Sequence, residues 1–120
     1  EIGLRLGEGN CLLCIERFKS LTDKTLEPVN LKECEKILIE INENDSMADL
    51  LILKTFISIR SGGDDHNEFF ENSMEIKRTT KNYIEFLMWL REFKRYFDKK
   101  DRVAEANIIN EYIEQVKRLM

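Results

Sequence analysis

The sequence predicts an all-α fold, a single compact bundle of five or six helices. Apolar residues recur at three- and four-residue spacing in every long patterned stretch, and no stretch shows the alternation of a half-buried strand. Chain breakers are scarce, one Pro and five Gly in 120 residues, and several fall between the patterned stretches. With 42% hydrophobic and 35% charged residues, the chain has the composition of an ordinary globular domain that buries a real core.

The first expected helix runs from Cys11 to Leu21, with Asn10 as its N-cap and Cys11, Cys14, Ile15 and Phe18 as its buried stripe. Pro28 closes the connection that follows. Asn30, with Glu33 at the capping-box position, is expected to cap a second helix whose inward face is Leu31, Cys34, Leu38 and Ile41. A Ser-x-x-Asp box at Ser46 and Asp49 opens a third, which carries Leu50 to Leu53, Phe56, Ile57 and Ile59 before Ser61-Gly62-Gly63 stops it. Apolar residues surround most of that helix, so it is expected at the centre of the bundle. Between Asp65 and Lys99 there is no Pro or Gly, but the polar run Lys77 to Asn82 divides the pattern. A short helix with Phe69, Phe70 and Met74 inward precedes a strong one with Tyr83, Phe86, Leu87, Leu90, Phe93 and Phe97 inward, capped by Thr79 or Thr80. One long helix bent at those threonines is the alternative. The last helix, capped by Asp98 or Asp101, places Val103, Ala106, Ile109, Tyr112, Ile113, Val116 and Met120 on one side.

Residues 1–8 read as a flexible N-terminal segment and residues 9–120 as one helical domain. The opening Glu1-Ile2-Gly3 lacks a Met and any basic, apolar leader, as expected of a piece cut from a longer protein with no secretory signal. A formal net charge of −4 disfavours nucleic acid and anionic lipid as partners, and no apolar run approaches membrane-spanning length. Three cysteines at no spacing typical of a disulfide scaffold point to a reducing, intracellular compartment, cytoplasmic or nuclear.

Cys11-x-x-Cys14 with Cys34 and the single His66 makes a complete Cys3His ligand set, so a zinc-stapled domain is one reading. The favoured reading keeps the three cysteines as small buried hydrophobes, because each falls on the apolar stripe of its helix. A redox role for the CxxC requires a strand-and-helix setting that is not present in the pattern. Asp64, Asp65, Glu68 and Glu71 around His66 could be mistaken for a hydrolase centre, but acids at a helix start answer its orphan N–H groups and positive dipole end. No catalytic residue, metal or cofactor is therefore expected.

The expected function is non-enzymatic docking of a peptide or partner protein. Residues 91–102 carry a local excess of three positive charges, interleaved with Tyr96 and Phe97. Trp89 falls beside the inward stripe of its helix, so it either wedges against a neighbouring helix or stands exposed as an anchor. The expected docking face comprises Trp89, Arg91, Lys94, Arg95 and Tyr96, a mixed aromatic and basic surface suited to an acidic, hydrophobic peptide. The pattern does not fix an oligomeric state.

Ile84-Glu85-Phe86, Phe93-Lys94, Ile108-Ile109 and Tyr112-Ile113-Glu114 resemble the fourth and fifth helices of the regulator of G-protein signalling family, over residues 82–114. Asn82 stands where that family has an Asn shortly before its Ile-x-Phe, while Leu87 replaces the Trp that usually follows the Phe. The resemblance implies contact with a G-protein α subunit and acceleration of GTP hydrolysis, with Asn82 as a contact residue. The order of helices is also similar to that of small five-helix modules of the transcription elongation factor N-terminal type, which implies docking of short linear peptides.

Overall fold

The computed structural model describes residues 28–41 and 44–120, which form α1 (Pro28–Ile41), α2 (Asn44–Arg60), α3 (His66–Thr80), α4 (Tyr83–Lys99) and α5 (Val103–Arg118). No strand occurs among the described residues, and the fold is an all-α bundle. The expected helix from Cys11 to Leu21 and the segment 1–8 lie outside them.

The helices pair as two hairpins, α2 against α3 and α4 against α5, with α2 also touching α1 and α4. In the first hairpin Asp45 meets Lys77, Ala48 meets Ser73 and Lys54 meets Phe69, so rising numbers face falling ones and the helices are antiparallel. As its apolar circumference predicts, α2 is central: Leu50, Ile52, Leu53 and Phe56 are all fully buried. Phe56 is the hub of an aromatic cluster, stacked on Phe93 at 4.3 Å and flanked by Tyr96 at 5.2 Å and Phe97 at 5.3 Å. Phe70 stacks on Tyr112 at 3.9 Å and approaches Phe86 at 6.3 Å, so one ring of α3 joins both helices of the second hairpin. Each fully buried Phe stabilises the fold by about 1.5–3 kcal/mol through area removed from water.

Several expected helix ends move. The second expected helix starts at Pro28 rather than after Asn30, because proline's fixed φ suits a first helical turn whose N–H groups lack intrahelical partners anyway. Helix α2 starts at Asn44, which places Ser46 inside its first turn. Neither Thr79 nor Thr80 caps α4: Lys81 adopts a left-handed conformation (φ 60°) that ends α3, and Asn82 stands at the N-cap of α4. Two helices thus replace the alternative of one bent helix. Asp101, also left-handed (φ 56°), turns the chain into α5, whose N-cap is Arg102 rather than Asp98 or Asp101. The Arg102 guanidinium donates to the carbonyl of Arg60 at 2.9 Å and to Glu105 at 2.9 Å, tying the second hairpin to the end of α2. Val103 and Met120, expected inward, are exposed: Val103 is the first residue of α5, and Met120 lies past its last, Arg118, where the helical stripe no longer applies.

Candidate functional site

Helix α4 carries the expected docking residues, and packing divides them. Phe86, Leu87, Trp89, Leu90, Phe93, Tyr96 and Phe97 are all buried. At about 100° per residue they cover roughly half the helix circumference. Trp89 and Tyr96 are only 4% and 8% exposed, so Trp89 takes the buried one of its two expected placements, and the inclusion of both rings in an exposed docking face is corrected. Trp89 lies edge-on to Phe93 at 6.1 Å, and Tyr96 edge-on to Phe56 and Phe97. The reason is geometric. A helix contacted from more than one side buries an arc wider than its central apolar stripe, and these two rings occupy one edge of that arc.

The opposite side of α4 holds Ile84, Met88, Arg91, Arg95 and Lys99, at steps of four, three, four and four residues, which keeps all five on one line. Ile84 is 68% exposed and Met88 56%, and Arg91, Arg95 and Lys99 are exposed beyond them. Lys94 lies on the flank and pairs with Asp98 at 3.0 Å. The structure therefore keeps Arg91 and Arg95 of the expected face and supplies Ile84 and Met88 as its apolar members. Sequence reading missed these two, although their i, i+4 spacing opposite Phe86 and Leu90 marked them as outward.

Asn82, half-buried, belongs to a polar cluster beneath the turn between α3 and α4. Lys77 is 0% exposed, its ammonium 3.1 Å from Asp45 and 3.6 Å from Asp49, and 5.6 Å from the centre of the Phe86 ring. Burial pushes the Asp45 carboxyl up, but Thr80, Lys77 and Asn82 outweigh it and hold Asp45 below its ordinary value. The Thr80 hydroxyl is buried short of hydrogen-bond geometry. Asp49 goes the other way, to about 7. Burial is the main cause, and Glu85 and Asp45 add to it against the attraction of Lys77. One ammonium serves two carboxylates, and the more deeply buried one retains its proton near neutrality. The cluster fastens α2 to α3.

At the start of α3, the ring Nδ1 of His66 is 2.6 Å from the Tyr112 hydroxyl, which donates to the Asn67 side-chain oxygen. With that hydroxyl proton committed to Asn67, the His66 Nδ1–H is the donor to Tyr112. Burial raises the phenol to about 12, with Glu71 and Glu111 adding to the effect, so Tyr112 is neutral and no base. The group pins α3 to α5. Asp65 stands at the N-cap of α3 without a side-chain cap bond, and Glu68 lies in the first turn. Of the Cys3His set, Cys11 and Cys14 lie outside the described residues, and Cys34 is fully buried in the core. No cluster of three or more metal-binding side chains occurs among the described residues. Nor is any described helix long and apolar enough to cross a membrane.

Comparison with family models, curated proteins and solved structures returns no match.

Proposed function

We propose that the chain is a non-enzymatic helical module that docks another protein through the outer face of α4. The observation that carries this reading is the exposed pair Ile84 and Met88, one turn apart on the helix whose opposite side anchors the aromatic core. Single exposed apolar residues are ordinary. A pair aligned with Arg91 and Arg95 on a rigid four-turn helix offers the mixture of aliphatic and guanidinium groups found at protein interfaces.

The test is to select binding peptides from a random displayed library and map their footprint by amide chemical shifts. Shifts centred on Ile84, Met88, Arg91 and Arg95 support the reading. Shifts confined to the open depression lined by Lys54, Ser58 and Phe69, or to the outer side of α5, reject it.

The competing GTPase-regulator reading rests on the resemblance around Asn82, a side chain engaged with Asp45. Single-turnover GTP hydrolysis by a G-protein α subunit, with and without the chain, tests it directly. A zinc-stapled domain is the third reading, decided by metal analysis of the purified chain.

A further inference from the structure

The charge pattern along this docking face points to the chemistry of its partner, an inference that rests on the docking reading above. Arg91, Arg95 and Lys99 follow one another at i, i+4, so Arg95 has a like charge on the turn either side of it. Pairs of this kind destabilise a helix. The helix dipole favours a cation at Lys99 in the last turn, but it does not reach Arg91 and Arg95 in the middle of the helix. None of the three cations pairs with a carboxylate among the described residues: of the two acids three residues from Arg95, Asp98 pairs with Lys94 at 3.0 Å and Glu92 is engaged elsewhere. Contacts among the described residues therefore leave the row of cations unexplained.

The other half of the line is apolar. Ile84 and Met88 extend it toward the start of α4, where the exposed carboxylate of Glu85 stands beside Ile84. A partner acid is repelled at that end and attracted at the other. The whole line spans about 22 Å, or roughly four turns of a facing helix.

We infer that the outer face of α4 docks an acidic amphipathic helix of a partner protein. Aliphatic residues of that helix cover Ile84 and Met88, and its Asp and Glu residues, one to two turns further along, pair with Arg91, Arg95 and Lys99. A phosphate polymer fits less well, because Ile84 and Met88 offer phosphodiesters nothing and the net charge of −4 opposes them at long range.

The experiment pans a phage-displayed library of random peptides, roughly 16 residues long to allow about four helical turns, against the 120-residue chain. Enriched peptides are expected to carry aliphatic residues followed at helical spacing by clustered Asp or Glu. The double variant Arg91→Gln/Arg95→Gln should weaken them about tenfold or more and reduce the salt dependence of binding, while its thermal midpoint stays level or rises as the like-charge row is relieved. Enriched peptides that are lost on Ile84→Ser/Met88→Ser but indifferent to the arginine variant leave the docking face standing and overturn its acidic partner. Peptides indifferent to both variants, or no enrichment at all, overturn both. The stripe is reassigned, and the proposal fails, if no acidic peptide enriches while duplex DNA or phosphatidylcholine–phosphatidylserine vesicles bind through the arginines. It fails equally if sedimentation shows self-association that the arginine variant abolishes, since the occupant is then a second copy of the chain.

Discussion

Asp49 and Lys77 show how one buried pair sets a pH response. The Asp49 carboxyl is raised from 3.8 to about 7. Between those values the folded chain keeps a proton that the unfolded chain has released, so this site's contribution to stability falls as pH rises through the window and is level above it. Asp45, held below its ordinary value, contributes in the opposite sense at lower pH: its stabilisation is lost as pH falls through its folded value. Asp49→Asn should remove the first effect alone. Urea midpoints of the two chains should move steadily in favour of the variant from pH 4 to pH 7, and a gap that does not change with pH rejects the assignment. Lys77→Met keeps the stem but strips the ammonium from two carboxylates, one of them buried. Because Asp49 can keep its proton and Asp45 is partly solvated, the loss should be that of unsatisfied buried polar groups, about 1–3 kcal/mol in chemical denaturation, and not that of a stranded buried charge. A loss below about 1 kcal/mol would make the pair dispensable.

At the scale of the element, α2 differs from the other helices in being contacted on most of its circumference. Leu53 is fully buried within it, and Leu53→Ala should cost about 2–5 kcal/mol, because neighbours on several sides limit collapse of the space left behind. Calorimetry or denaturant titration decides the matter, and a cost below about 1 kcal/mol would place α2 at the periphery. The contrast is α4, whose faces are segregated: Phe86 and Phe93 on one side hold the bundle together, while Ile84 and Met88 on the other touch solvent. Substitution of the exposed pair should therefore change binding with little effect on the midpoint.

At the scale of the whole molecule, two hairpins must be held in one orientation. The Phe56–Phe93 stack supplies apolar contact between them, and Arg102 supplies a directional one, from the entrance of α5 to the last carbonyl of α2. Arg102→Ala should cost roughly 1.5–3 kcal/mol, the usual worth of a hydrogen bond to a charged group. An unchanged dependence on denaturant would show that both hairpins still unfold together. A second, separate transition would show instead that Arg102 is needed for their cooperativity.

Periodicity made the fold class and most of the core legible in the sequence, because burial on one side of a helix leaves a three- and four-residue signature whatever the neighbours are. The all-α class, the central place of α2 and the inward Phe70, Phe86, Phe93 and Phe97 all follow from it. Helix ends were less legible: Asn30, Ser46, Thr80 and Asp101 all have capping chemistry, but α1 and α2 start earlier, at Pro28 and Asn44, and left-handed residues at Lys81 and Asp101 set the two later turns. The candidate site was half legible. Arg91 and Arg95 were found from charge, but Tyr96 was placed outside and Trp89 left open between inside and outside, because a sequence pattern locates the centre of a buried stripe and not its width. That width depends on how many helices pack against α4. The Lys77 cluster left no mark in a polar run, since a lysine that faces a helix 32 residues away reads like any solvated one. Local sequence determined which elements form and which way their cores face. Only the tertiary structure decided which side chains at the edges of those cores remain in water, because that depends on neighbours far away in the chain.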